Sequence, residues 1–391
     1  MKESKGIPRR IDASQVRRIT TTPKAHRKER ADTALVCGES QGREDFCITS
    51  SPGDEKMTGL CSVPGGFLTR LREGDIVKVD PDGRISLVWD TGSRQNPLYL
   101  TDYCNSRCIM CPQTPEAHPC HHDETAKRML RLLAVPEPPS FGITGGEPTL
   151  VLDGLVEVLD LLRERFPSSP VQLLTNGRRL ADFQVATRVA ESAPRGLVFC
   201  IPVFADNDVE HDAITGAKGS FRETVAGIHN LVRYGRPIEI RVVIVRQNAE
   251  RLADLAHFIF WNFPFAVHIA FMAMETSGVA CANLDEVWVE PSDYRGALEK
   301  AVVFLNQRMM RVSLYNLPLC LISEKVRPFA RDSISDWKKM FLPECGECSQ
   351  KASCGGFFGT SVRKPSQIKP FKGGDTIPEK QKKEGGTSIF L

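Results

Sequence analysis

Apolar and polar residues alternate along two short segments near residue 80, which is the pattern of half-buried strands. The segments are 75–80 and 85–89, and the turn residues Pro81, Asp82 and Gly83 stand between them. Proline and glycine supply the backbone angles that a tight turn needs. The pattern predicts a β-hairpin within a small β-rich domain over residues 35–94.

From residue 95 onward, short apolar segments alternate with longer segments whose apolar residues recur every three or four positions, which predicts strands followed by helices. The predicted strands are 98–101, 141–144, 171–175, 197–204, 238–245 and 266–272. The predicted helices are 124–133, 152–166, 221–234, 251–261 and 292–308. Parallel strands need helical crossovers, so we expect an α/β fold with a partial (β/α)6 barrel of the TIM type over residues 95–310.

The flanking segments differ in composition. Residues 1–31 hold ten lysines or arginines against three acidic residues, and residues 1–34 contain few large apolar residues, so we expect a basic flexible arm. Residues 311–362 carry several cysteines and form a candidate iron–sulfur segment. Residues 363–391 are rich in lysine, glycine, glutamate and proline, which predicts a disordered tail.

Composition narrows the class of protein. Hydrophobic residues make up 41% and charged residues 25% of the 391 residues, as in soluble globular proteins. A net charge of +3 argues against nucleic acid as the partner. Neither an apolar signal segment nor a long apolar run is evident, so we expect a cytoplasmic protein without membrane association. Thirteen cysteines in a reducing compartment indicate metal sites or chemistry rather than disulfides.

The first cysteine motif directly follows the first predicted strand of the barrel. Cys104, Cys108 and Cys111 have the spacing C-x3-C-x2-C. Three thiolates can hold three corners of a [4Fe–4S] cluster and leave the fourth iron open for another ligand. The alternative is a zinc site whose fourth ligand is Cys120, His121 or His122. Strand ends of this kind carry the chemistry of α/β barrels.

A second motif, Gly145-Gly146-Glu147-Pro148, follows the next predicted strand. Glycines let the backbone approach a ligand closely, and a carboxylate or carbonyl there can accept hydrogen bonds from an ammonium group. The alternative is an ordinary Gly-Pro turn. Its position one β/α unit after the cysteines favours a shared site.

With these two motifs, residues 95–275 resemble the radical S-adenosylmethionine (SAM) superfamily. The resemblance implies that the three cysteines ligate a catalytic [4Fe–4S] cluster, whose open iron is chelated by the amino and carboxylate groups of SAM. It also implies a chemistry: the reduced cluster cleaves SAM to methionine and a 5′-deoxyadenosyl radical, which abstracts hydrogen from the substrate. By the same resemblance the cofactor-binding residues at the second motif are Gly145, Gly146, Glu147 and Pro148.

Other SAM contacts are predicted at single positions. Met110 stands where members of the superfamily often carry an aromatic residue facing adenine. Asn176, Asp206 and Arg241 lie on or after later strands, where polar groups can reach ribose or carboxylate. Each of these three has an equally simple alternative as a solvated loop residue or a structural cap.

The second cysteine motif lies near the C-terminus. Cys345, Cys348 and Cys354 form C-x2-C-x5-C, and Cys320 precedes them by twenty-five positions. Four cysteines would fully ligate an auxiliary [4Fe–4S] cluster, whereas a structural four-cysteine zinc site has similar spacing. Either metal would supply much of the stability of a small segment.

The C-terminal motif resembles the twitch and SPASM extensions of radical SAM enzymes that modify peptides. A closer likeness, over residues 74–360, is to the radical SAM maturases of His-Xaa-Ser systems (the HxsC type). It rests on Gly74-Asp-Ile-Val, the first cysteine motif, Leu317-Pro-Leu-Cys320, Arg327-Pro-Phe-Ala, the stretch 333–338, and residues 343–358. The likeness implies as substrate a ribosomally made peptide or small protein of the His-Xaa-Ser repeat type, together with a sister maturase.

Such an enzyme also implies a flavodoxin or a ferredoxin as electron donor. Two alternatives stay open from the sequence. One is a radical SAM enzyme acting on a nucleotide, tRNA or a small molecule. The other is a metal-binding protein without catalysis that partners another maturase.

Overall fold

The computed structural model describes residues 3–9, 11–21, 32–36, 46–51, 58–93, 95–114, 116, 118–134, 140–332 and 338–372. Two large sheets and one two-stranded sheet organise these residues. Cys37, residues 333–337 and the part of the predicted tail beyond residue 372 lie outside the described residues. The domain boundaries given above stay a prediction.

The N-terminal sheet has eight strands and closes on itself. The strands are β1 (Glu3–Lys5), β2 (Ile7–Arg9), β3 (Gln15–Thr20), β4 (Thr33–Val36), β5 (Phe46–Ile48), β6 (Thr58–Cys61), β7 (Ile76–Val79) and β8 (Arg84–Trp89). The hairpin predicted near residue 80 is confirmed as the antiparallel pair β7 and β8. At the ends of the strand order, β1 pairs with β8 and β2 pairs with β6. Only Gly6 separates β1 from β2, so residues 3–9 join both edges of the sheet.

Strands occupy most of the described residues of the expected basic arm, which corrects the prediction of a flexible arm over residues 1–34. They supply β1, β2, β3 and the first half of β4. In β3, Ile19 is fully buried and contributes to the core of the small barrel, while Arg17 and Arg18 are half-buried. Six residues with only two large apolar side chains give a weak sequence signal, and pairing with β7 and β4 supplies the missing stabilisation.

The second sheet has seven strands, all parallel, in the order of the sequence. They are β9 (Asn96–Tyr99), β10 (Phe141–Thr144), β11 (Val171–Leu174), β12 (Leu197–Pro202), β13 (Ile238–Ile244), β14 (His268–Ala273) and β15 (Val312–Tyr315). The α/β fold with a partial TIM-type barrel is confirmed. The count of six strands was one too low, because β15 has four residues and lies in the segment assigned to the second cysteine motif.

Helices connect the strands of this sheet. Besides Gly65–Leu68 in the N-terminal domain, the α-helices are Asp123–Leu132, Leu152–Arg165, Phe183–Ser192, Asp208–Thr215, Ser220–Val232, Leu252–Asn262, Gly278–Ala282, Leu284–Val287 and Pro291–Gln307. In Leu152–Arg165 the buried residues Leu155, Val158, Leu159 and Leu162 recur with helical spacing and face the sheet. None of the helices in the described part of the chain has the length and apolar character needed to cross a membrane.

One large hydrophobic core joins the parallel sheet to its helices and to the N-terminal domain. Phe141, Phe166 and Phe199 are among its largest fully buried side chains. Trp89, the last residue of β8, packs on Phe141 with ring centroids 5.7 Å apart. The small barrel is thereby fixed beside β9 and β10. Truncating a phenylalanine in such a core to alanine costs about 3–5 kcal/mol.

The C-terminal segment returns to the carboxyl edge of the parallel sheet. Its two strands, β16 (Lys339–Met340) and β17 (Phe357–Phe358), pair antiparallel. Beyond them, the Val362 N–H donates to the Thr276 carbonyl at 3.0 Å, and Thr276 follows β14. Lys338 also forms an ion pair of 2.8 Å with Glu275. The second cysteine motif is therefore anchored at the edge where the first motif begins.

Candidate active site

The first cysteine motif lies in the loop after β9, at the carboxyl edge of the parallel sheet. The Arg107 N–H donates to the Thr215 carbonyl at 2.9 Å, and the Ile109 N–H donates to the Ile214 carbonyl at 3.0 Å. These bonds use carbonyls at the end of the helix Asp208–Thr215, which would otherwise lack a partner. The loop is therefore fixed to the helix that follows β12.

The three thiols of the motif influence one another electrostatically. Cys104 is exposed, whereas Cys108 and Cys111 are half-buried. Burial raises the pKa of the Cys108 thiol to about 12, and the charges of Cys111 and Cys104 act in the same direction. Thiolates crowded in this way need a cationic partner, and a bound metal deprotonates a coordinating thiol outright. The donor set therefore fits an iron–sulfur cluster.

Two donors lie beside the Cys104 sulfur. The Ser106 N–H donates to Cys104 Sγ at 3.4 Å, and Asn176 Nδ2 lies 3.9 Å from the same sulfur. Asn176 also donates to Asn105 Oδ1 at 2.7 Å. Hydrogen bonds to the ligand sulfurs are one way in which a protein sets the potential of a cluster. The structure thus places Asn176, a predicted SAM contact, against the cysteine loop itself.

The Gly145-Gly146 pair permits a close approach between two backbones. A Cβ at Gly145 would lie 2.7 Å from the Thr101 carbonyl oxygen, and one at Gly146 would overlap the Tyr103 carbonyl. The Gly146 N–H donates to the Thr101 carbonyl at 2.6 Å. The next N–H, of Glu147, donates to the Tyr103 carbonyl at 2.7 Å. The glycines therefore let β10 dock on the start of the cysteine loop.

Glu147 is completely buried, and four hydrogen bonds occupy its carboxylate. Oε1 accepts from the Thr149 N–H at 3.0 Å, the Thr149 hydroxyl at 2.6 Å and the Thr175 hydroxyl at 2.7 Å. Oε2 accepts from the Asn176 N–H at 2.7 Å. The side chain thus joins the ends of β10 and β11, and Pro148 begins the buried turn Pro148–Val151 that follows it. A SAM contact at Glu147 stays a prediction.

Arg178 holds the cysteine loop from the third strand and was missed by the sequence analysis. Its Nη1 donates to the Asn105 carbonyl and, at 3.1 Å, to the Ser106 hydroxyl. Its Nε donates to Glu223 at 2.6 Å. The same positive charge lowers the pKa of Cys108, in opposition to burial. The only sequence signal was its position directly after Asn176-Gly177.

The remaining predicted SAM contacts lie in other surroundings. Met110 is buried in an apolar cluster with Phe204 and Met274. Asp206 accepts hydrogen bonds from Arg251, the shorter at 2.7 Å. A role of Met110 or Asp206 in binding SAM stays a prediction.

Arg241 belongs to a buried polar network inside the barrel. Its Nε donates to Glu239 Oε1 at 2.6 Å, and Glu239 Oε2 lies 2.8 Å from His268 Nδ1. His268 Nε2 lies in turn 2.8 Å from the Ser313 hydroxyl on β15. Although burial acts in the opposite direction, Arg241 and His268 lower the pKa of Glu239 to about 2. The Arg241 guanidinium thus forms an ion pair with Glu239. A role of Arg241 as a SAM contact stays a prediction.

The four cysteines of the second motif meet at one cavity. Cys320, Cys345, Cys348 and Cys354 all line it, together with the aromatic side chains of Phe341, Phe357 and Phe371. Burial raises the pKa of Cys354, and the charges of Cys345 and Cys348 add to this effect. The Gly356 N–H donates to Cys354 Sγ at 3.5 Å. Four thiols around an apolar cavity fit a metal centre with full protein ligation.

Other cysteines have different surroundings. Cys47 and Cys61 are buried in the N-terminal barrel with Leu35, and Cys200 is buried in β12. Cys281 is exposed. Cys120, a candidate fourth ligand for the first motif in the zinc interpretation, lies beside Asp102 and His122.

Comparison with known proteins finds a family match for the central region of the chain. Residues 98–259 match the family model of the radical SAM superfamily. Over 207 residues the chain is 26% identical to Fe-coproporphyrin III synthase of Methanosarcina barkeri, which covers 52% of this chain and 46% of the relative. The chain thus spans about half the length of this curated relative.

Solved structures with a similar fold were also found. One is SuiB of Streptococcus suis bound to the precursor peptide SuiA, with 17% identity, a TM-score of 0.45, and coverage of 56% of this chain and 48% of that one. Another is anSMEcpe with bound AdoMet, with 17% identity, a TM-score of 0.44, and coverage of 56% and 63%. The family match includes the first cysteine motif and the Gly-Gly-Glu segment. Residues 98–259 therefore match the radical SAM superfamily, a family that uses a [4Fe–4S] cluster and SAM as cofactors.

Proposed function

We propose that this chain is a radical SAM maturase that modifies a ribosomally made peptide or small protein after translation. The observation that carries the proposal is the presence of two cysteine sets at one edge of the barrel. The first has three cysteines and leaves a cluster iron open for SAM. The second has four cysteines that line one cavity, on a segment anchored beside β14.

The residues of the first site have separate tasks. Cys104, Cys108 and Cys111 hold the cluster, while Arg178 and Asn176 fix the loop that carries them. The backbone of the Gly-Gly-Glu segment receives the amino group of SAM. When bound, the cluster and SAM supply a one-electron cleavage that yields methionine and a hydrogen-abstracting 5′-deoxyadenosyl radical.

The second cysteine set supports a peptide substrate in particular. Closing a new bond after hydrogen abstraction requires the loss of one electron, and an auxiliary [4Fe–4S] cluster on Cys320, Cys345, Cys348 and Cys354 can accept it. The resemblance to the maturases of His-Xaa-Ser systems implies that the substrate is a peptide or small protein with His-Xaa-Ser repeats. A sister maturase as partner, and a flavodoxin or a ferredoxin as electron donor, belong to the same proposal.

Anaerobic reconstitution of the full chain with iron and sulfide tests the cofactors. About eight iron atoms per chain are expected for two [4Fe–4S] clusters, and about four after Cys345→Ala with Cys348→Ala. Cys281→Ser removes an exposed thiol outside both cysteine motifs and serves as the matched control. Zinc in place of iron at the second set would contradict the auxiliary cluster and leave the first site intact.

The substrate is tested with reductant, SAM and a synthetic His-Xaa-Ser repeat peptide. We expect the peptide to stimulate 5′-deoxyadenosine formation and to change in mass. Parallel reactions contain iron coproporphyrin or a tRNA pool instead. Stimulation by either of these without a change in the peptide would contradict the proposed substrate class, whereas 5′-deoxyadenosine in no reaction would contradict the enzyme itself.

A further inference from the structure

The segment that closes the cysteine loop brings three potential metal ligands together outside the two cysteine motifs. Residues 120–122 run antiparallel to the chain after β9, with a bridge between Thr101 and His121. The Asp102 N–H donates to the Cys120 carbonyl at 3.0 Å. Side chains alternate along extended chain, so Cys120 and His122 share one face. His121 points the other way, where its Nδ1 lies 2.9 Å from the Thr101 hydroxyl.

Three atoms on this face form a triangle. Cys120 Sγ lies 3.5 Å from Asp102 Oδ2 and 3.6 Å from His122 Nε2. The third side, from His122 Nε2 to Asp102 Oδ2, measures 3.0 Å. Tetrahedral zinc with ordinary bond lengths separates a sulfur from an oxygen or nitrogen ligand by about 3.5 Å, and an oxygen from a nitrogen by about 3.3 Å. The three observed sides correspond to the edges of such a tetrahedron.

Two hydrogen bonds cover two sides of the triangle, and the third side, at 3.6 Å, is an ordinary van der Waals contact. The thiol and the imidazole nitrogen each carry at most one proton, and the Asp102 oxygen accepts both. The contact between Cys120 Sγ and His122 Nε2 then has no proton of its own. A cation at the centre fits all three sides, and one carboxylate with one thiolate balances the charge of a dication.

We propose that Asp102, Cys120 and His122 bind one Zn²⁺, with water as the fourth ligand on the exposed side of Cys120. Carboxylate, thiolate and imidazole are all ordinary zinc ligands. The Tyr99 ring packs against His122 with ring centroids 5.5 Å apart. Such outer contacts orient metal ligands.

The ion joins the two ends of the loop that carries the first cysteine motif. Asp102 stands two residues before Cys104, and His122 directly precedes the helix Asp123–Leu132. A metal that closes a loop lowers the entropy of its open states. The zinc is therefore a structural clip that keeps the loop in place, separate from the clusters and independent of the substrate proposed above.

The test uses the full chain after anaerobic cluster reconstitution, followed by zinc addition and removal of loosely bound metal with a chelator. Zinc and iron per chain are measured by mass spectrometry, and the zinc ligands by X-ray absorption at the zinc edge. We expect about one zinc per chain, with one sulfur at about 2.3 Å and the other ligands at about 2.0–2.2 Å. Spectra with three or four sulfurs would place the zinc at a cysteine motif and overturn the proposal.

Variants locate the site. Cys120→Ser and His122→Gln should each lower zinc affinity by about tenfold or more while retaining iron. The matched controls Cys281→Ser and His121→Gln, an exposed cysteine and a neighbouring histidine, should retain zinc. Wild-type protein with less than about a tenth of a zinc per chain would refute the site. Unchanged zinc affinity in both Cys120→Ser and His122→Gln would refute it equally.

Discussion

Replacing Glu147 by glutamine distinguishes a carboxylate that holds the barrel edge together from one that touches SAM. Both carboxylate oxygens accept hydrogen bonds in the buried site. Glutamine has nearly the same shape but offers an NH2 group in place of one oxygen. Whichever way the amide turns, one donor of the protein then faces another donor.

The expected cost follows from the distribution of donors. Three donors converge on Oε1, so the carbonyl of glutamine takes that position and its NH2 group faces the Asn176 N–H. A buried donor left without a partner costs about 1–3 kcal/mol, and the remaining bonds lose the assistance of the charge. We expect a local loss of about 2–4 kcal/mol at the end of β11. Because Asn176 bonds to Asn105, the cysteine loop loosens with it.

Amide hydrogen exchange of the reconstituted full chain measures this loss directly. Each 1.4 kcal/mol is a factor of about ten, so peptides covering 175–178 should exchange about thirtyfold faster or more. Glu191→Gln, at an exposed position on the helix Phe183–Ser192, is the matched control. Unchanged exchange together with SAM binding weakened by about tenfold would refute the reasoning, because that result assigns the carboxylate to SAM.

Three further predictions concern the surroundings of the loop. Arg178→Met should lower the iron content at the first cysteine motif, because it removes the hydrogen bonds that hold the loop. The control Arg188→Met removes a surface ion pair and should leave the iron content unchanged. The number of iron atoms per chain is measured for both variants. Gly146→Ala should abolish cluster retention, because the new Cβ would overlap the Tyr103 carbonyl. The control Gly296→Ala lies in a helix with open space around the new Cβ, and it should stabilise the protein by about 0.5–1 kcal/mol. Burial lowers the pKa of His211 to about 4. At this histidine the unfolded state therefore binds more protons than the folded state between pH 4 and 6.5. Acidification from pH 7 to pH 5 should lower the free energy of unfolding by about 2 kcal/mol. Urea unfolding measures this loss, which should be absent in His211→Gln.

Local signals explain which parts of the fold were predictable. The strand Phe141–Thr144 is observed at the predicted residues, because a short apolar run ends at a glycine pair. The helix Phe183–Ser192 was not predicted, since its buried residues Val185, Ala186, Val189 and Ala190 are small and give a weak periodic pattern. Strand β15 and strand β3 are short, and pairing with neighbours far along the chain stabilises them.

The cysteines were evident from the sequence, whereas the contacts that position them were not. Glu147 and Asn176 are 29 positions apart, and Arg178 and Asn105 are 73 positions apart. Such pairs meet only because the carboxyl ends of β9, β10 and β11 lie side by side in a parallel sheet. A single sequence contains no record of that adjacency beyond the alternation of strands and helices.

This adjacency also explains why the Gly-Gly-Glu segment stands one β/α unit after the cysteines. Carbonyls of Thr101 and Tyr103, at the start of the cysteine loop, accept from the backbone of the Gly-Gly-Glu segment on the next strand. The Glu147 carboxylate accepts from Asn176 on the third strand, and Asn176 bonds back to Asn105 within the loop. The path of hydrogen bonds is closed and begins and ends in the cysteine loop. The two motifs are therefore one structural unit, in which the glycines and the glutamate fix the position of the cysteine loop.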